Sequence, residues 1–178
     1  DGPVFLGEKI IFQEPKKKLV TGSSIIDVDL SVNIAGVNFN NPVIAASGTF
    51  GYGSEYKSVF DVNKLGGICS KGLTLEPRQG NTGIRLQEVS GGVINSIGLE
   101  NPGIENFINK QLPLMMSFDA VTIANLSGSS IETYVEGAKL LDKTNVPMIE
   151  LNISCPNVKS GGMAFGLQKD AAFEVTKA

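Results

Sequence analysis

The chain contains no histidine and no tryptophan, and only two of its 178 residues are cysteines. Without histidine, any proton transfer must use cysteine, lysine, tyrosine, a carboxylate or water. Both cysteines, Cys69 and Cys155, fall in apparent strands of an otherwise ordinary sequence. This placement favours free thiols over a structural disulfide.

Long apolar runs and a strong charge of either sign are also lacking. No apolar run approaches the roughly 20 residues that cross a bilayer, and no basic and then apolar signal sequence opens the chain. The net charge of -3 provides no basic surface for a phosphate backbone. We therefore expect a cytoplasmic protein that binds neither membrane nor nucleic acid. With 42% hydrophobic and 19% charged residues, the composition is that of a globular domain with a sizeable core.

Residues 1–26 differ from the rest of the chain. Two short apolar stretches, 4–5 and 9–12, favour a small hairpin, and a basic run and a polar stretch follow them. We predict a tail and linker over residues 1–26 and one domain over residues 27–178. At the start of that domain, apolar and polar residues alternate on both sides of Ala35-Gly36, which predicts a β-hairpin.

Strand and helix patterns alternate from residue 43 onward. The predicted buried strands span 43–48, 67–71, 121–125 and 148–155. The predicted helices span 54–65 and 101–108, then a segment from Ile131 to Leu141 with Ser129 and Glu132 as a capping box, and a last helix from Asp170. Residues 74–90 are expected to form a long irregular, functional loop. Alternation of this kind predicts a parallel sheet with helical crossovers.

A barrel is the better interpretation of this sheet than a doubly wound fold. Residues 47–51 follow a predicted strand but match neither the dinucleotide-binding glycine fingerprint nor the P-loop. A complete barrel takes about 250 residues, so four β/α units predict about the first half of a (β/α)8 TIM barrel.

Polar side chains collect where the predicted strands end. They are Ser47, Lys71, Asn95, Asn125, Asn152, Cys155 and Asn157. Pro156 lacks a donor N–H and biases Cys155 away from helical geometry, so the last strand is expected to stop there. A turn or cap role is the ordinary interpretation of any single asparagine, and a strand-end lysine is ordinarily an ion-pair partner. Cys69 needs no role beyond that of a small buried side chain.

Four segments in this order resemble a known family. They are Asn-Pro-Val-Ile-Ala-Ala-Ser-Gly at 41–48, Asn-Ser-Ile-Gly-Leu-Glu-Asn-Pro-Gly at 95–103, Ile-Ala-Asn-Leu-Ser-Gly-Ser at 123–129, and 150–159 continuing into Gly161-Gly162. The chain from Val28 to Ala178 resembles the catalytic subunit of class 1 dihydroorotate dehydrogenases, most closely the NAD-linked 1B branch. Residues 1–20 resemble the C-terminal tail of that enzyme's electron-transfer subunit.

The resemblance implies FMN-dependent oxidation of dihydroorotate to orotate in pyrimidine biosynthesis. It implies that Cys155 is the general base at C5, while a hydride leaves C6 for FMN. The implied cofactor-binding residues are Ala46, Ser47, Lys71, Gly72, Asn125 and Asn152. The implied substrate-binding residues are Lys71, Asn95, Ile97, Gly98, Leu99, Asn152 and Asn157. It also implies a partner subunit that carries FAD and an iron–sulfur cluster, a homo-oligomer, and no metal site in this chain.

Other functions fit the same residues. One is a different FMN barrel oxidoreductase, such as a dihydropyrimidine dehydrogenase domain, in which the cysteine acts as an acid during reduction. Another is an inactive half-barrel that serves as an interaction module, because its open strand edges need a partner. Either NAD or fumarate fits as the electron acceptor.

Overall fold

The computed structural model describes residues 4–6, 9–11, 28–154 and 165–178. The chain forms two compact units, Asp1–Leu30 and Ser31–Ala178. In the first unit, β1 (Val4–Leu6) pairs antiparallel with β2 (Lys9–Ile11). This pairing confirms the small hairpin predicted near the start of the chain.

The second unit contains eight strands and four helices among its described residues. The strands are β3 (Val32–Ile34), β4 (Val37–Phe39), β5 (Ile44–Ala45), β6 (Gly67–Cys69), β7 (Leu86–Val89), β8 (Gly92–Asn95), β9 (Val121–Ser127) and β10 (Met148–Asn152). The helices are α1 (Ile104–Asn106), α2 (Leu112–Met115), α3 (Ile131–Asp142) and α4 (Lys169–Lys177), with a π-helical segment, Phe107–Gln111, between α1 and α2.

Four strands form one parallel sheet, in the order β10-β9-β6-β5. Every neighbouring pair is parallel, and Asn125 on β9 lies opposite Glu150 on β10. Spatial order therefore follows chain order, as it does around a barrel. The predicted half of an α/β barrel is confirmed, and its strands bring their carboxyl ends to one edge.

Side chains on the two faces of the sheet enter different clusters, because successive residues of a strand point to opposite faces. Ala124 and Leu126 of β9 lie in the main core with Phe107, and helix α3 contributes Tyr134 and Leu141 to the same core. On the other face, Cys69 and Ile123 pack with Phe39. The helices thus cover one face, and the opposite face carries the side chains that a barrel would enclose.

The hairpin β3–β4 covers that enclosed face at the amino ends of the strands. Its turn residues, Ala35 and Gly36, have φ of 50° and 87°, which suits a tight two-residue hairpin turn. The Phe39 ring is 1% exposed and lies against the first residues of β6, where a Cβ on Gly67 would lie 2.9 Å from the ring. The predicted hairpin is confirmed, and it seals the sheet at the end opposite the polar residues.

The prediction of one helix over residues 54–65 is wrong. The segment forms two short 3-10 turns, Ser54–Tyr56 and Val62–Lys64. The Asp61 carboxylate accepts a hydrogen bond from the Asn63 N–H at 3.2 Å, which starts a new turn instead of continuing the first. The Phe50 and Tyr56 rings stack at 4.1 Å, and Val62 packs into the main core, so these contacts hold the segment without a continuous helix.

The predicted irregular loop also contains regular structure. Strands β7 and β8 form an antiparallel hairpin with Leu86 opposite Asn95. All eight of their residues are exposed, so neither face of this hairpin is buried. Its sequence therefore lacks the alternation of apolar and polar residues that identifies a half-buried strand.

Helix α3 begins at Ile131, as predicted, but its N-cap lies one residue after the predicted one. Ser130 is the N-cap: its side chain accepts from the Thr133 N–H at 3.4 Å, and the Thr133 hydroxyl accepts from the Ser130 N–H at 3.1 Å. The box is therefore Ser130 with Thr133, not Ser129 with Glu132. Threonine is an unusual partner in this motif, which explains why the sequence pattern favoured the wrong pair.

Replacing Ser130 with alanine is expected to lower the free energy of unfolding by about 1 kcal/mol, because the Thr133 N–H loses its acceptor. Urea unfolding followed by circular dichroism measures this change. Ser129→Ala is the matched control, and we expect little change from it. Equal losses for the two variants would contradict the observed cap.

Two further predicted elements lie near the end of the chain. Helix α4 confirms the one predicted from Asp170. Strand β10 ends at Asn152, before the predicted end at Cys155. Cys155 itself lies outside the described residues. No helix in the described part of the chain is long and apolar enough to cross a membrane.

Candidate active site

The carboxyl ends of the parallel strands place several predicted site residues at one edge of the sheet. Asn125 and Asn152 lie on the neighbouring strands β9 and β10, Lys71 and Gly72 follow β6, and Ala46 and Ser47 follow β5. Asn125 is 1% exposed, whereas Lys71 and Ser47 are half-buried and Ala46 is exposed. The sheet topology therefore brings all of the predicted cofactor-binding residues to the same edge.

Two carboxamides and a carboxylate form a connected cluster there. The Asn152 Nδ2 donates to Asn125 Oδ1 at 3.0 Å, and the Asn125 Nδ2 donates to Glu150 Oε1 at 2.5 Å. Tyr134 on α3 donates its hydroxyl to the Asn152 carbonyl oxygen at 2.7 Å. We call Asn125, Glu150 and Asn152 the carboxamide cluster. Its amides offer both donors and acceptors, as recognition of a planar heterocycle requires.

The thiol of Cys69 contacts this cluster from β6. Its Sγ donates to Glu150 Oε1 at 3.3 Å. Burial first, and then the neighbouring Glu150 carboxylate, raise the pKa of Cys69 to about 12 from a usual value near 9. The thiol therefore keeps its proton at neutral pH and acts as a donor, not as a nucleophile.

Cys69 is expected to resist iodoacetamide at pH 8 in the folded protein and to react once urea unfolds it. Because its pKa is higher in the folded state, its contribution to stability is full below pH 9 and is lost as the pH rises toward 12. Peptide mass analysis after alkylation measures the reaction. Complete alkylation of Cys69 under native conditions would contradict the buried, protonated thiol.

The exit of β6 holds the backbone close to the carboxamide cluster. The Ser70 hydroxyl accepts from the Asn125 N–H at 3.0 Å, and the Leu73 N–H donates to the Asn125 carbonyl at 2.8 Å. A Cβ on Gly72 would lie 3.1 Å from Asn125 Oδ1 and 2.9 Å from Leu99 Cδ1. Glycine at position 72 thus lets the main chain pass beside the cluster without a side chain in between.

The predicted carboxylate-binding turn has an unusual backbone. Gly98 and Leu99 both have positive φ, 78° and 56°, and this conformation is rare for a leucine. Asn101, which is 6% exposed, stabilises it: its Nδ2 donates to the Leu99 carbonyl at 2.8 Å, and its Oδ1 accepts from the N–H groups of Thr74 and Gly103, each at 3.0 Å. The strained turn is held by a buried side chain that uses most of its hydrogen-bonding capacity.

Other predicted site residues are not joined to this cluster. Asn95 ends β8 and is exposed, and among the described residues neither its side chain nor that of Lys71 hydrogen-bonds to the carboxamide cluster. Cys155 and Asn157 lie outside the described residues. No group of three or more potential metal-binding side chains occurs in the described part of the chain.

Sequence reasoning missed Glu150, Asn101 and Ser127. Glu150 precedes Asn152 by two residues, and this strand spacing places both on one face, so its position was readable from the sequence. Asn101 resembled an ordinary helix start. The buried Ser127 Oγ has no hydrogen-bond partner among the described residues, and it lies 3.3 Å from the Cβ that Gly72 lacks. An unsatisfied hydroxyl beside the cluster marks a place for a ligand or water atom.

Comparisons with known proteins agree with this architecture. The family model for dihydroorotate dehydrogenase matches residues 29–178. The catalytic subunit of dihydroorotate dehydrogenase B (NAD(+)) from Petrotoga mobilis is 56% identical over 148 residues, which cover 83% of this chain and 49% of the relative. The corresponding Caldicellulosiruptor bescii subunit is 55% identical over 150 residues, covering 84% and 50%.

A solved structure shows the same fold. It is a crystal structure of DHODH from Eimeria tenella in complex with ferulenol, with a TM-score of 0.64 and 22% identity over 84% of this chain and 42% of that one. The chain spans about half the length of the curated relatives that it matches. Because the family model matches most of the chain, and these relatives are more than 50% identical to it, the chain belongs to the dihydroorotate dehydrogenase family.

Proposed function

We propose that this chain is the amino-terminal half of an NAD-linked, B-type catalytic subunit that oxidises dihydroorotate to orotate in pyrimidine biosynthesis. The observation that carries the proposal is the 56% identity over 148 residues to such a subunit. The carboxamide cluster at the carboxyl ends of parallel strands supports it, because barrel enzymes perform their chemistry at this edge.

The reaction requires removal of two hydrogens from neighbouring carbons. The Cys155 thiolate takes the proton from C5, a hydride leaves C6, and the electron pair of the C5–H bond becomes the new double bond. FMN, when bound, supplies the two-electron acceptor for the hydride. The Lys71 ammonium group places a positive charge at the same edge, where it favours the negative charge that this transfer develops.

The residues at the strand ends fit a flavin. The pyrimidine edge of the flavin ring alternates donors and acceptors, which Asn125 and Asn152 complement. The main chain at Gly72 approaches the cluster without a Cβ, and the Ser127 hydroxyl beside it is unsatisfied. The residues that would hold FMN are those implied by the family resemblance: Ala46, Ser47, Lys71, Gly72, Asn125 and Asn152.

Substrate recognition uses a second set of groups. Asn95, Asn152 and Asn157 hydrogen-bond the dihydroorotate ring, and Lys71 contributes a positive charge. The backbone of Ile97, Gly98 and Leu99 offers N–H groups to the carboxylate. The bonds from Asn101 to this turn support the assignment, because a strained backbone persists only where its surroundings hold it.

Partners complete the proposed enzyme. An electron-transfer subunit with FAD and an iron–sulfur cluster passes electrons to NAD, and the catalytic subunits form a homo-oligomer in the cytoplasm. Residues 1–26 form a tail and linker ahead of the barrel domain, and 1–20 correspond to the end of the electron-transfer subunit. The name of the relatives, catalytic subunit, supports a partner of this kind.

The test is an assay of the full-length protein, meaning this chain continued through the second half of the barrel. We expect turnover of dihydroorotate and a yellow flavin spectrum. Turnover of dihydrouracil or uracil without dihydroorotate would instead identify a dihydropyrimidine dehydrogenase. A colourless full-length protein without activity would favour the interaction module.

A further inference from the structure

Glu150 is an exposed carboxylate on the face of the sheet opposite the helices, with partners on two other strands. It accepts from Asn125 on β9 and from Cys69 on β6 through the same oxygen, Oε1. No salt bridge to a lysine or arginine is formed by Glu150 among the described residues. Its partners are therefore neutral donors, and a surface ion pair does not explain its presence.

An ionised carboxylate can only accept hydrogen bonds, whereas a carboxamide can donate or accept according to which way it faces. Facing Glu150, Asn125 must present its NH2 group. Its Oδ1 then faces Asn152, which must in turn present its own NH2 group. The Glu150 carboxylate, which can only accept, thus sets the direction of both amides in this series of hydrogen bonds.

This direction determines what remains available to a ligand. The Asn152 Oδ1 is left on the far side of its amide from Asn125, where the Ser154 N–H approaches at a long 3.4 Å. The Cys69 thiol and the Asn125 NH2 group donate to the same Glu150 oxygen, so this oxygen accepts from two neutral donors. Reversing either amide would exchange donors for acceptors at the site.

We propose that Glu150 is a positioning residue, whose carboxylate fixes the direction of the Asn125 and Asn152 carboxamides and thereby the pattern of donors and acceptors offered to the ligand. The inference rests on the proposed function for the identity of that ligand, the flavin and its substrate. Glu150 acts through Asn125 and is assigned no contact with either molecule.

The experiment uses the full-length apoprotein and free FMN, whose fluorescence is quenched on binding. Glu150→Met, which keeps the length of the side chain but removes the acceptor, is expected to raise the Kd for FMN about tenfold. Glu150→Gln keeps an acceptor oxygen and is expected to raise the Kd by less than about threefold. Glu136→Met, which removes an exposed carboxylate on α3, is the matched control and should leave the Kd unchanged.

A second measurement separates positioning from a general effect on folding. In an Asn125→Ala background, Glu150→Met should change the Kd by less than about twofold, because the amide through which Glu150 acts is gone. Urea unfolding of wild type, both single variants and the double variant measures the coupling free energy between Glu150 and Asn125 in the absence of flavin. If Glu150→Met binds FMN as wild type does, or if its effect adds fully to that of Asn125→Ala, the inference is overturned.

Failure of the proposed function has a different signature. Wild-type protein would then neither bind FMN nor turn over dihydroorotate, and the unfolding cycle would still report on Glu150 and Asn125. An absence of coupling in that cycle would overturn the positioning role whatever the ligand. Coupling in unfolding together with unchanged FMN binding by Glu150→Met would show a structural role alone and would also overturn it.

Discussion

Replacing Cys155 with alanine in the full-length protein is expected to lower kcat/KM for dihydroorotate by about 10² to 10⁴-fold, the usual contribution of a positioned general base. Flavin binding should persist, because no cofactor contact is assigned to this thiol. Histidine is absent from residues 1–178, so no imidazole of this half can take over the proton transfer. Steady-state kinetics together with the flavin absorbance of the purified variant measure both effects.

Two further variants sharpen this prediction. Cys69→Ala removes the other thiol and should keep most of the activity, since the buried Cys69 is protonated and is assigned no part in the reaction. Cys155→Ser should retain partial activity with an optimum at higher pH, because a hydroxyl is a weaker acid than a thiol. Undiminished turnover by Cys155→Ala would remove Cys155 from the role of base.

Gly66→Ala is expected to cause the largest loss of stability among single glycine substitutions in the described segments. A Cβ at this position would lie 1.8 Å from the backbone carbonyl oxygen of Asn41, a contact that no rotamer change relieves. The Gly66 N–H also donates to the Val43 carbonyl at 2.9 Å, so any displacement disturbs the entry to the β5–β6 pair. We expect a loss of about 3 kcal/mol or more in the free energy of unfolding.

Gly91→Ala is the matched control for this prediction. Gly91 has no atom within 4 Å of the position that a Cβ would take, and its φ is not positive. The substitution should be neutral or slightly stabilising, because alanine restricts the unfolded chain more than glycine does. Thermal unfolding of both variants, followed by circular dichroism, compares them directly. Similar midpoints for Gly66→Ala and wild type would contradict the close approach of Asn41.

Strand β9 was predictable because both of its faces are covered. Residues 121–127 read as a continuous apolar stretch with small polar interruptions, and six of the seven are buried in the structure. The segment at 54–65 has helically spaced apolar residues too, but Val59 and Phe60 are 54% and 40% exposed. Because these two of the predicted helix's apolar side chains remain exposed, packing did not favour one continuous helix, and local capping by Asp61 starts a separate turn.

Within the site, the strand-end asparagines were predictable from their shared position, but the connections between them were not. That Asn152 donates to Asn125, and Asn125 to Glu150, depends on the pairing of β9 with β10. Asn101 was read as the start of a helix because its role depends on Thr74, which lies 27 residues earlier in the chain. Long-range hydrogen bonds of this kind leave no local periodicity in a sequence.

The hairpin β3–β4 has a consequence for the order of events in turnover. Because Phe39 and its neighbours fill the space at the amino ends of β6, β9 and β10, this end of the described sheet is closed to a ligand. Reactant and product of the proposed enzyme would then both enter and leave at the carboxyl ends. On the proposed function, orotate must depart before the next dihydroorotate enters, so orotate should act as a competitive inhibitor of its own formation.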